Sequence, residues 1–159
     1  MQFSTSDYPS PVSSSGYRID THRGMRVEEY HGKVTLSDLR SMLAAMASDP
    51  CWSPDHHGLV DLAQAELELS ANDVLRMALM LRQDAYRSHG WQVYVVASSV
   101  AYGVVRMLGY WSRNTDRFRI FQSRDEADRW LQRHGHESPL GFREPTVAEK
   151  ETAALRNVI

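Results

Sequence analysis

The sequence predicts a single α/β domain with a mostly parallel mixed sheet, on three observations. Short β-branched or aromatic runs alternate with helical segments of amphipathic spacing. Most of those segments open on a Ser or Thr that has an acidic residue three positions on. The run over residues 91–97 (WQVYVVA) is almost wholly apolar, as a strand covered on both faces must be.

Composition fits that class and excludes others. A chain of 159 residues can bury enough surface to fold without a disulfide or a metal. The formal net charge of −2 argues against a nucleic-acid partner, because such partners call for a concentrated basic surface. No apolar stretch approaches the roughly 18 residues of a transmembrane segment. The one cysteine, Cys51, cannot form an intrachain disulfide and fits a cytoplasmic protein, although a Cys-poor periplasmic chain would look the same. The first residues (MQFSTSDYPSPVSSSG) lack the basic and apolar regions of a signal peptide.

Residues 1–16 are rich in Ser and Pro and are expected to form a flexible tail. Tyr17–Thr21 and Met25–Tyr30 flank His22, Arg23 and Gly24 and read as a β-hairpin, with Gly32 ending its second strand. Thr35 with Asp38 caps a first helix, in which Leu39, Met42, Leu43 and Met46 recur at helical spacing up to Ala47. After a loop from Cys51 to His56, GLVDL (58–62) is a short apolar strand. Ser70 with Asp73 opens a second helix, expected to bury Val74, Leu75, Ala78, Leu81 and Ala85 and to stop at His89 and Gly90. The strand WQVYVVA follows, and Ser99 caps a third helix facing the core through Val100, Val104, Leu108 and Trp111. FRIFQ (118–122) is the last strand, and Ser123 with Glu126 launches a fourth helix through Ala127, Trp130 and Leu131. The order is β-β-α-β-α-β-α-β-α, with right-handed crossovers and an antiparallel hairpin at the edge. The domain should span residues 17–135. Residues 136–159 form a C-terminal extension in which Thr146 and Glu149 could cap a short helix.

This order, together with the hairpin YRIDTHRGMRVEEYHGKVT, the strands GLVDL and WQVYVVA and the closing segment FRIFQSRDEADRWL, resembles the SpoIIAA-like branch of the STAS-like superfamily from Tyr17 to Gln132. These segments specify architecture, not chemistry. In anti-sigma-factor antagonists of that superfamily a phosphorylatable serine lies in an Asp-Ser-Ser-Gly motif, and Ser70 falls near its position. Here Leu69 stands in place of the Asp and Asn72 in place of the Gly, so Ser70 is a candidate phosphosite by resemblance and a helix cap by its own spacing.

The remaining candidates are weaker. His56 and His57 are adjacent and His134 and His136 lie two apart, but no Cys or carboxylate set completes a ligand shell, so neither a metal nor a cofactor is expected. Cys51 follows a helix end, where the dipole disfavours a thiolate. Asp61, Ser98 and Ser99 sit at the carboxyl ends of strands, where open α/β sheets bind ligands, and form a candidate anion corner. Tyr102, Arg106, Tyr110 and Arg113 recur on one side of the third helix and form a candidate interface. No nucleophile elbow, phosphate loop or dinucleotide fingerprint occurs.

The sequence therefore points to a non-enzymatic binding or regulatory module working through protein contacts at the third helix and a Glu66–Ser70 loop, with an unknown protein partner or as a homodimer. Two alternatives stand beside it. One is a carrier of a small apolar ligand, as the likeness of that superfamily to Sec14-type lipid-binding domains implies, with Met42, Met46, Met77, Met80 and Met107 lining the cavity. The other is an enzyme using Asp61 with His or Ser groups.

Overall fold

Gly16–Asp20 (β1) and Met25–Thr35 (β2) pair antiparallel, and Gly24 closes the turn between them at a left-handed φ of 60°. The computed structural model describes residues 15–137, with Pro139 and Ala148. The expected tail over residues 1–16, except its last two residues, and the expected helix near Thr146, except Ala148, lie outside the described residues.

β2 does not stop at Gly32. That residue takes φ 69° within the strand, and the chain runs on to Thr35, paired in parallel with the second half of His57–Glu68 (β3). β3 is correspondingly longer than the apolar run 58–62, so Glu66–Glu68 belong to a strand and not to a loop. Glu29 pairs with Asp61 but His31 with Gln64, so β3 carries an extra residue there. Such a bulge shifts the alternation, and the inward positions pass from Val60 and Leu62 to Ala65 and Leu67.

Leu36–Ala47 (α1) and Ala71–Leu81 (α2) both open on complete capping boxes, Thr35 with Asp38 and Ser70 with Asp73. Gln92–Val95 (β4) is buried at all four positions. Ser99–Trp111 (α3), Phe118–Phe121 (β5) and Arg124–His134 (α4) complete the order. In α4 only half of the expected box forms: Ser123 Oγ accepts from the Glu126 N–H.

The sheet order is β1-β2-β3-β4-β5, with every pair after the first parallel. Each crossover steps one strand in the same direction, so the right-handed rule places α1, α2 and α3 on one face. Even-numbered strand residues (Tyr30, Val60, Tyr94, Phe118) meet those three helices. Odd-numbered residues (Val27, Leu59, Val93, Val95) meet Ala127, Trp130 and Leu131 of α4 on the other face.

Two helices differ from the sequence expectation. α2 ends at Leu81; Asp84–Tyr86 then make a 3-10 turn, and the His89 N–H reaches the Pro54 carbonyl. Gly90 is no left-handed stop; a Cβ there would lie 2.5 Å from the His56 carbonyl oxygen. α3 is capped by Ser98, not Ser99, and buries Ala101, Val105, Leu108 and Gly109, leaving Val100 66% exposed. Small residues decide its orientation, since a Cβ on Gly109 would press within 2.9 Å of the Phe118 ring.

Candidate functional site

α2 makes its main contacts with α3 and α1 and not with the strands beneath it. An amphipathic helix held off its sheet leaves a space, and here that space is a cavity of about 80 Å³. Its apolar wall includes Leu43, Val60, Leu62, Val74, Met77 and Leu81. Of the five methionines expected to line a cavity, only Met77 does so; Met42 and Met107 pack at the core's margin, and Met46 is fully buried elsewhere.

The floor of the cavity is polar. Arg26, Glu28 and Tyr30 alternate along β2 and all point beneath the helices, where Gln92 and Tyr94 of β4 join them. The Arg26 guanidinium donates to Gln92 Oε1 at 2.6 Å and to the His56 carbonyl at 3.3 Å. Its Cζ lies 4.9 Å from the centre of the Trp52 ring, a cation–π contact that closes the outer side. Gly58 makes room for this pair: a Cβ there would be 2.8 Å from the guanidinium and 2.9 Å from Gln92 Oε1. Tyr30 donates its hydroxyl proton to Glu28 Oε2 at 2.8 Å.

This cluster is only partly satisfied. Glu28 Oε1 stands 3.9 Å from Arg26 Nε, too far for a hydrogen bond, and Nε finds no hydrogen-bond acceptor among the described residues. Burial pushes the Glu28 carboxyl above the usual carboxylate range, against the opposing pull of Arg26 and Tyr30. Burial also holds Arg26 below its ordinary value, opposed by Glu28, and raises Tyr30 and Tyr94. Removing two charges from water this completely is seldom a route to stability. The arrangement can chemically accept a molecule with an apolar body and a polar group that hydrogen-bonds.

The residues singled out in the sequence lie elsewhere. Asp61 accepts from the Ala63 N–H and from Arg124 at 3.2 Å, in an ion-pair network with Glu29 on the α4 side of the sheet. Ser98 caps α3, and Ser99 is exposed in its first turn. No hydrogen bond or ion pair joins Asp61 to either serine. Ser70 caps α2 by accepting from the Asp73 N–H. Tyr102 and Arg106 meet on the outside of α3, hydroxyl to guanidinium at 3.3 Å, and Tyr110 is 73% exposed. Arg113 lies beyond the helix end at φ 61° and lines a cleft with Arg82, Arg87 and Arg117.

His57 binds the Gly135 carbonyl and accepts from the Trp91 N–H, while His134 faces Glu137. Among the described residues no group of three His, Cys, Asp or Glu is placed to hold a metal.

Sequence reasoning misses the polar floor because Arg26, Glu28 and Tyr30 alternate with Val27, the pattern of a strand with one side in solvent. A signal is present: three crossovers that step in the same direction put three helices over the face of β2 that carries Arg26, Glu28 and Tyr30. The floor also lies at the amino ends of β2 and β4, opposite the strand edge where the anion corner was expected.

No family model matches the chain, and no curated protein matches it. Among solved structures it is similar to an uncharacterized protein of the DUF3478 family with a SpoIIAA-like fold from Shewanella loihica PV-4. The identity is 18%, the TM-score 0.50, and the match covers 74% of this chain and 92% of that one. At such identity the likeness speaks to fold alone. Taken with the strand order and the helices on both faces, it shows that the chain has a SpoIIAA-like, STAS-like α/β fold.

Proposed function

We propose that this chain is a non-catalytic binding module that takes a small amphiphilic molecule into the cavity between α2 and the sheet. The observation that carries the reading is the buried, incompletely satisfied Arg26–Glu28 pair opening onto an otherwise aliphatic space. Buried polar groups without partners are rare in interiors built only for stability. The volume of about 80 Å³ is roughly half that of a cavity known to hold benzene, so the unexpanded site suits a ligand of a few heavy atoms. Longer ligands require α2 to lift.

The test is titration of the full chain with 1-butanol, 1-pentanol and 1-hexanol, followed by methyl NMR. Shifts confined to Val60, Leu62, Val74, Met77 and Leu81 are expected, and Val74→Phe should abolish them while the protein stays folded. Unchanged spectra up to the solubility of hexanol would end the proposal.

A second reading has its own observation. Val100, Tyr102 and Tyr110 stand 66%, 43% and 73% exposed on α3, and exposed aromatics are common in protein interfaces. Light-scattering mass of the chain and of Tyr110→Ala tests it: a strict monomer, unchanged by the substitution, removes self-association.

A further inference from the structure

Leu81 and Asn114 line both the internal cavity and a second, solvent-facing cleft of about 370 Å³. Arg82, Arg87, Arg113 and Arg117 line that cleft with them, and none of its described lining residues is acidic. In a chain of formal net charge −2 this is a local reversal of sign. Arg87 pairs with Asp84 at 3.3 Å on the open surface, and Arg117 donates to the Ser88 carbonyl. Arg82 and Arg113 form no ion pair with any described residue.

Helix carboxyl ends favour cations, which accounts for Arg82 after α2 and Arg113 after α3 taken singly. It does not account for Arg87 and Arg117, which stand outside α2 and α3 and come to the same cleft. The φ of 61° at Arg113 belongs to the close of α3, where the Arg113 N–H reaches the Tyr110 carbonyl and the Asn114 N–H the Gly109 carbonyl. Glycine is usual at that position and another L residue costs on the order of 1 kcal/mol, so the backbone alone does not ask for an arginine there.

We infer that this cleft binds the phosphate head of an amphiphile whose alkyl part passes Leu81 and Asn114 into the cavity, an inference that rests on the binding reading above. A guanidinium fork matches phosphate oxygens, and several guanidiniums with little carboxylate to neutralise them suit a head bearing more than one negative charge. The cleft and the aliphatic cavity lie on either side of Leu81 and Asn114, and this adjacency favours an alkyl phosphate over a free anion.

The experiment compares n-butyl to n-octyl phosphates, the alcohols of equal chain length, and inorganic phosphate, each titrated calorimetrically into the full chain at low salt. Alkyl phosphates are expected to bind about tenfold or more tightly than either comparison, since each tenfold needs only one good charge-assisted contact. Arg113→Gly relieves the backbone and should leave the protein as stable or more so. It should weaken alkyl phosphate binding severalfold and leave alcohol binding unchanged; Arg82→Ala should do the same. Equal affinity for alcohol and alkyl phosphate overturns the head-group site and leaves the cavity standing. Inorganic phosphate binding as tightly as the alkyl phosphates makes the cleft a separate anion site and also overturns it. Binding of no probe overturns both.

Discussion

One sheet carries two faces that share their strands and little else. Beneath α4, Val27, Leu59, Val93 and Val95 meet two indoles, Trp91 and Trp130, set edge to face with ring centres 4.9 Å apart. Beneath α2, the next residues along the same strands place Arg26, Glu28 and Gln92 around a space. α4 contacts β4 and β5 directly, whereas α2 leans on its neighbouring helices. The difference teaches that strand alternation sets which residues share a face, but the height of the covering helix sets what that face can do. The α4 face is packed for cohesion, and the α2 face gives up packing for polar groups and room.

The largest effect should come from the cohesive face. Trp91 is fully buried, and its indole N–H donates to the carbonyls of His134 and Glu137, tying the end of α4 to β4. Trp91→Ala should cost about 3–5 kcal/mol, read by denaturant unfolding. A loss below about 1 kcal/mol would mean that this face does not anchor the fold.

On the other face the expected result is different in kind. Arg26→Met leaves Glu28 buried without its cation and should cost about 3 kcal/mol. The double variant Arg26→Met with Glu28→Leu should recover most of that loss, because apolar replacement of a buried pair is often neutral or better. Recovery would mean the pair is retained for something other than stability. A double variant as unstable as the single one would equate the two faces and remove the contrast.

How much of this was legible in the sequence depends on distance along the chain. Thr35 with Asp38 and Ser70 with Asp73 could be read because a cap and its partner lie three residues apart. The hairpin was equally local. The Arg26–Gln92 bond joins residues 66 apart, and nothing near Arg26 says that three helices will cover it. The burying stripe of α3 is wider than its hydropathy suggests: Val104, Leu108 and Trp111 pack on the core as expected and Val100 does not, while Ala101, Val105 and Gly109 join them, Gly109 because contact with Phe118 demands a small residue. Gly90 carries no local sign of its role, since the carbonyl it must clear belongs to His56.

The two faces should also respond to acid in opposite senses. His57 accepts from the Trp91 N–H through Nδ1, so a second proton must displace that bond, and burial holds the imidazole below its usual value. Its contribution is complete above the unfolded value near 6.5 and is lost as pH falls through the lower folded value. Glu28 has the opposite sign: its raised carboxyl favours the fold below the unfolded value near 4.5, and that advantage is lost as pH rises through the folded value. Stability measured from pH 7 to 4 should therefore fall less steeply in His57→Gln and more steeply in Glu28→Gln than in the parent. Parallel profiles for all three proteins would show that neither group carries this linkage.

The smallest effect separates the faces by local motion. Ser70 caps α2 and Ser123 caps α4, so Ser70→Ala and Ser123→Ala each remove one side-chain acceptor, at about 1 kcal/mol apiece. The consequence should differ, because α4 is locked by Trp130 and Leu131 while α2 spans a space. In Ser70→Ala the amides of α2 should exchange with solvent about fivefold faster, the factor that 1 kcal/mol implies for a helix that opens by itself. In Ser123→Ala the amides of α4 should follow global unfolding, along with those of β4. Ser70→Asp, which keeps an acceptor at the cap, should leave α2 exchange as it was. Should α2 and α4 both exchange only with the whole molecule, α2 is no looser than α4, and entry to the cavity would then require unfolding instead of a local lift.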